Sequence, residues 1–83
     1  MCTMIASKLP IEGCGKGANG WFDLDHAYIA YDHTFHIQLE HALTLDFVNE
    51  AQGPGARIAV ELPPAEARRL AEGILAALAQ AGE

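Results

Sequence analysis

Apolar and polar positions alternate along most of the chain and then change, near its C-terminal quarter, to a period close to 3.6. Alternation places successive side chains on opposite faces of a strand, whereas the longer period gathers them on one side of a helix. Thr3, Ile5, Ser7, Leu9 and Ile11 fall on one face with Met4, Ala6 and Lys8 on the other, predicting a strand from Thr3 to Ile11. Trp21 to Asp32 is rich in aromatic and β-branched residues, and Ile37 to Val48 alternates through Ile37, Leu39, His41, Leu43, Leu45 and Phe47. Both are expected to be strands, as is Arg57 to Leu62. Pro63-Pro64 ends the last strand and opens a helix, since proline is tolerated in a first helical turn. Ala67, Leu70, Ala71, Ile74, Leu75 and Leu78 then form one stripe, with Gly82 as the stop.

The segments between these elements carry turn chemistry. Gly13 to Gly20 is expected to be a glycine-rich loop, Asp32-His33-Thr34-Phe35 a short hairpin turn, and Asn49 to Gly55 a second turn. The fold class is α+β: an antiparallel sheet of about four strands in the order β-β-β-β-α, with one C-terminal amphipathic helix packed on one face. The 83 residues make one domain, 1–83.

Centring the first long hairpin between His33 and Thr34 pairs Leu24 with Leu43, His26 with His41, and Tyr28 with Leu39. Extended to the first strand, this register sets Ser7 beside His26 and Ile5 beside Tyr28. A slip of one residue would send the apolar side chains to the wrong face, so the pattern selects this parity. The result is a row of Ser7, His26 and His41 on the helix-facing surface. Val60 opposite Leu45 and Leu62 opposite Leu43 would bring the helix N-terminus, with its free N–H groups, close to His41. In this pocket His26 and His41 are candidate general base and acid, Ser7 is a weaker candidate nucleophile, and Tyr28, Leu39 and Glu66 are candidate ligand-binding residues.

Composition narrows the partners. Five lysines and arginines against eleven acids, a net charge of −6, argue against a nucleic-acid or anionic-membrane partner. The apolar runs are too short to span a bilayer and no leader pattern is evident, so a cytoplasmic location is expected. A chain this small hides its apolar surface poorly, and 51% hydrophobic content therefore points to a homo-oligomer, a dimer or higher.

A second group of chemistry-bearing residues, Cys2, Tyr31 and His36, falls on the opposite face, with His33 in the adjacent hairpin loop; of these, Cys2, His33 and His36 are the candidate metal ligands. Thiolate and imidazole are ligand types for zinc or copper, although this spacing is no established metal signature. The glycine-rich segment lacks the GxxxxGK[ST] arrangement and leads into a strand, which argues against nucleotide binding.

Met1-Cys2-Thr3, Gly15-Lys16-Gly17 with Gly20-Trp21-Phe22, Asp32-His33 with His36, Glu40-His41, and Gly53-Pro54 with Ala56-Arg57 together resemble a family of short, uncharacterised bacterial proteins. The resemblance implies a bacterial origin and no catalytic assignment. The chain departs from the family pattern at Thr34 and Phe35, where a proline is expected.

The leading expectation is a homo-oligomeric small-molecule-binding protein, with cofactor-free proton transfer by His26 and His41 in an isomerase, cyclase or hydrolase as its enzymatic form. Two alternatives stand beside it. One is a transition-metal protein using Cys2, His33 and His36, and the other is a non-catalytic accessory protein.

Overall fold

The computed structural model describes residues 5–83. Strand β1 (Ile5–Gly17), β2 (Gly20–His33), β3 (His41–Val48) and β4 (Arg57–Leu62) form one antiparallel sheet in the order β1-β2-β3-β4, followed by helix α1 (Pro64–Gln80). A short 3-10 turn, Glu50–Gln52, follows β3 and is capped by Asn49, whose side chain accepts from the Ala51 N–H. The α+β architecture, β4 and the β3–β4 register, with Leu43 opposite Leu62 and Leu45 opposite Val60, are as the sequence predicts.

The glycine-rich segment is strand, not loop. β1 runs through it to Gly17, and only Ala18-Asn19 turn the chain into β2. A register shift between Pro10 and Gly13 lets the strand bend there. Beyond the bend β1 passes tightly beneath neighbouring side chains. A Cβ on Gly15 would lie 2.7 Å from Ile58 Cδ1 and 3.3 Å from Leu24 Cδ2, so glycine is what this close approach demands.

The long hairpin also differs. β3 begins at His41 rather than Ile37, and residues 34–40 form a loop. Consequently His26 faces Val48, Tyr28 faces Asp46 and His33 faces His41, while Ser7 lies opposite Ile29 and Lys8 opposite Tyr28. The cause lies on β4. The Glu61 carboxylate accepts the backbone N–H groups of Phe35 (2.6 Å), His36 (2.9 Å) and Ile37 (3.1 Å), taking the place of ladder partners and drawing the loop over the sheet. Thr34 Oγ1 closes the loop by donating to the Leu39 carbonyl at 2.6 Å.

Residues paired across strands share a face, and this register sorts the sheet cleanly. One face carries Ile5 and Leu9 of β1, Ile29 and Tyr31 of β2, Leu43, Leu45 and Phe47 of β3, and Ile58, Val60 and Leu62 of β4. The other carries Lys8, His26, Tyr28, Thr44, Asp46, Arg57 and Glu61.

The helix is not packed across the apolar face. None of its residues is buried, and Leu70, Ile74, Leu75 and Leu78 are exposed. Leu62 and Pro63 each precede a proline, which disfavours the helical backbone conformation for both. Pro63 is extended, with φ −55° and ψ 146°. The joint between β4 and α1 is therefore short and stiff, and the helix leaves the sheet instead of folding back over it. At its far end the N–H of Gly82, at φ 79°, donates to the Ala79 carbonyl, and that of Glu83 donates to Leu78, a Schellman closure. Among the described residues the hydrophobic interior amounts to Ala27, Ala42 and Ala56, with no large side chain fully buried.

Candidate functional site on the polar face

The polar face gathers five chemically active side chains from three elements. Cross-strand pairing of Lys8 with Tyr28 sets the ammonium 5.5 Å from the centre of the phenol ring. His26 lies one position along the same face. The 3-10 turn after β3 swings Glu50 onto this group, because its own backbone N–H is held by the Asp25 carboxylate at 3.1 and 3.3 Å.

Glu50 is the hub. Its Oε1 lies 2.9 Å from Lys8 Nζ and 3.1 Å from His26 Nδ1, and its Oε2 accepts from the Tyr28 hydroxyl at 3.0 Å. His26 Nδ1 is also 3.0 Å from Asp25 Oδ1, so one imidazole nitrogen is bracketed by two carboxylates. The Lys8 ammonium and then the Tyr28 hydroxyl hold the Glu50 carboxyl below its ordinary pKa, keeping it ionised. Reciprocally, Glu50 holds the Lys8 ammonium above its ordinary value. Tyr28 and Glu50 also line a shallow cleft of about 300 Å³, completed by Val48, Asn49 and Pro54.

Chemically, this set can orient an imidazole between two carboxylates and hold a phenol and an ammonium beside it. It also has the donors of a cation site. His26, Asp25 and Glu50 each offer one ligand atom, all within 4.8 Å of one another, and nitrogen with carboxylate oxygens is a donor set that zinc accepts.

A larger groove of about 560 Å³ lies at the other end of the same face. Phe35, His36 and Ile37 of the loop cover it, over Thr44, Asp46, Ala59 and Glu61. The backbone N–H groups, that of Ile37 foremost, hold the Glu61 carboxyl below its ordinary pKa. An ion pair of Arg57 Nε with Asp46 Oδ1, 2.8 Å, divides the two hollows. The larger hollow carries fewer groups suited to proton transfer or coordination, and chemistry rather than size identifies the smaller as the candidate site.

The residues singled out in the sequence are distributed differently from the expected row. His26 and His41 share no site. Their partners, Val48 and His33, sit at opposite ends of the β2–β3 ladder, roughly 23 Å apart at about 3.3 Å per residue. Ser7 is on the apolar face, away from His26. His41 stacks between Tyr31 (5.5 Å) and His33 (5.0 Å), and its Nε2 is shielded with no hydrogen-bond partner among the described residues. Leu39 lies in the loop rather than opposite Tyr28, and Glu66 pairs with Arg69 at 3.2 Å on the exposed helix.

The hairpin-tip metal set is likewise not assembled. Cys2 lies outside the described residues, His33 is committed to the stack, and His36 sits on the loop over the polar face. Tyr28 and His26 are the sequence candidates that the fold brings to this site, and His33 and His41 meet only in the stack. Lys8, Asp25 and Glu50 were missed as site residues. Lys8 is paired with Tyr28 across β1 and β2, Asp25 lies beside His26 in β2, and Glu50 arrives through the turn that Asn49 caps, which leaves no signal in periodicity.

No helix among the described residues is long and apolar enough to cross a membrane. A model of a family of unknown function, DUF6295, matches residues 1–83. No curated protein and no solved structure matches the chain.

Proposed function

The chain belongs to DUF6295, a family of unknown function, and we propose that it acts as a homo-oligomeric protein that binds a small molecule on the polar face of its sheet, with His26 as the proton-transfer group. The observation that carries this reading is the bracketing of His26 Nδ1 by Asp25 (3.0 Å) and Glu50 (3.1 Å) beside a cleft to which Tyr28 and Glu50 contribute. A carboxylate on one imidazole nitrogen fixes the ring, leaving the other nitrogen to exchange a proton with a bound ligand. His41, remote from this cleft, has no part in the step.

A fragment library screened by amide and side-chain NMR shifts tests the reading. Binders should perturb Tyr28, Val48 and Glu50 together, and His26→Ala should abolish those responses while the sheet's amide pattern persists. Perturbations confined to other surfaces, or unchanged binding by the variant, would refute it.

The convergence of three ligand atoms favours a second reading, a divalent transition-metal site of His26, Asp25 and Glu50. Binding would displace the Lys8 ammonium from Glu50. Elemental analysis of untagged protein prepared without chelator, followed by zinc titration, tests it. Metal-free protein that takes up no zinc, or uptake undiminished by His26→Ala, would exclude this site.

A further inference from the structure

The protein exposes 6234 Å² at a mass of 8.9 kDa. A folded monomer of that mass exposes about 4,800 Å². The excess, about 1,400 Å² per chain, corresponds to roughly 2,800 Å² for a pair, within the range of obligate dimers. Two of the exposed surfaces are apolar. On the helix, Leu70, Ile74, Leu75 and Leu78 are 46, 54, 67 and 46% exposed. On the sheet, Ile5 and Leu9 are 56 and 45% exposed at the edge of a face continued by Ile29, Leu45 and Val60.

These surfaces fit one another in size. The helix, 17 residues, is about 25 Å long at about 1.5 Å per residue. β3, 8 residues, is about 26 Å long at about 3.3 Å per residue. Within this chain the helix stripe stays exposed, because Leu62 and Pro63 both precede prolines, which disfavours the conformations that would reverse the chain. A second copy carries the same helix and the same bare sheet, and a two-fold arrangement satisfies both contacts at once.

We propose that two copies of this chain exchange their C-terminal helices, each seating its Leu70, Ile74, Leu75 and Leu78 stripe on the apolar face of the other's sheet. This rests on the homo-oligomeric reading above and specifies its geometry. The polar face and its charged site stay open to ligand on the outside of such a pair.

The test is a full-length sample mixed from isotope-labelled and unlabelled chains, refolded together, with isotope-filtered NOE spectra that detect only contacts between chains. Sedimentation measures the mass of the same sample. A mass of two or more chains with intermolecular NOEs from Ile74 and Leu75 methyls to those of Ile29, Leu45 or Val60 is the expected result. The same mass with helix-to-sheet NOEs only within a chain, or with intermolecular NOEs only between sheets, overturns the exchange and leaves the homo-oligomer standing. A single-chain mass overturns both. The double variant I74E/L75E, read by sedimentation at equal concentration, should weaken association at least tenfold, and undiminished association counts against the helix as interface.

Discussion

Gly15→Ala places a methyl group where β1 passes beneath β2 and β4. Its Cβ would stand 2.7 Å from Ile58 Cδ1 and 3.3 Å from Leu24 Cδ2. Carbon atoms rest at about 3.5–4.0 Å, so the first contact is short by about 1 Å. Ile58 Cδ1 is the free end of a half-buried side chain, so the strain is shed by a rotamer change or a small strand shift. Overpacking of this kind costs about 1–3 kcal/mol, less the few tenths to 1 kcal/mol that alanine gains by restricting the unfolded chain. The net expectation is a loss of about 1–2 kcal/mol.

Ile58→Val alone removes the offending Cδ1 and should cost about 0.5–1.5 kcal/mol. In the double variant the clash with Ile58 disappears. Its destabilisation should therefore fall short of the sum of the two single changes by about 1 kcal/mol. Urea unfolding followed by circular dichroism, with protein concentration held equal, measures all four corners of the cycle. Thermal midpoints should move by about 4–8 °C per kcal/mol. Additive effects within error would refute the close approach of β1 to β4, and with it the account of why the glycine-rich segment is strand.

Other outcomes follow from the same contacts. Glu61 has a lowered pKa, so its contribution to loop closure is fully present above the ordinary glutamate range and is lost as pH falls through the lowered value. Exchange protection of the Phe35, His36 and Ile37 amides should collapse in that acidic window and be absent at neutral pH in Glu61→Ala, which leaves no acceptor; protection that persists in the variant would contradict the carboxylate's role. Glu50 behaves with the same sign, and acidification should release Lys8 and Tyr28 together, visible as a shift of the Tyr28 ring resonances. The Cys14 thiol donates to Asp23 Oδ1 at 3.3 Å, which raises its pKa. In a Cys2→Ser background, Asp23→Asn should speed its reaction with a disulfide reagent at neutral pH, and an unchanged rate would show that the contact does not control the thiol.

The elements that pattern alone predicts correctly are those with one unambiguous face. α1 has its stripe and Gly82, and β4 alternates between Arg57-Ala59-Glu61 and Ile58-Val60-Leu62. β2 is different, since Leu24, Tyr28 and Ala30 are apolar at even positions and Ala27, Ile29 and Tyr31 at odd ones. Either parity satisfies the pattern, and the hairpin loop decides between them. The pattern hides that loop because Ile37 and Leu39 prolong the alternation of β3, while the carboxylate that captures the loop backbone stands on another strand, at Glu61. Thus His26 was legible as a candidate and its partners were not. Glu50 becomes its neighbour through a cap and a turn that only the folded chain creates.

The irregularity between Pro10 and Gly13 decides whether another strand could extend the sheet at β1. β1 is a sheet edge, and a long open edge offers unpaired backbone groups to any other strand. At Pro10 there is no N–H to offer, and just beyond it the bulge breaks the even spacing that another strand would need. Lys8, two residues earlier, sets a charge along the same border. Growth by strand addition into an unlimited ribbon is therefore obstructed at the edge, while the broad apolar face remains free to close a finite assembly.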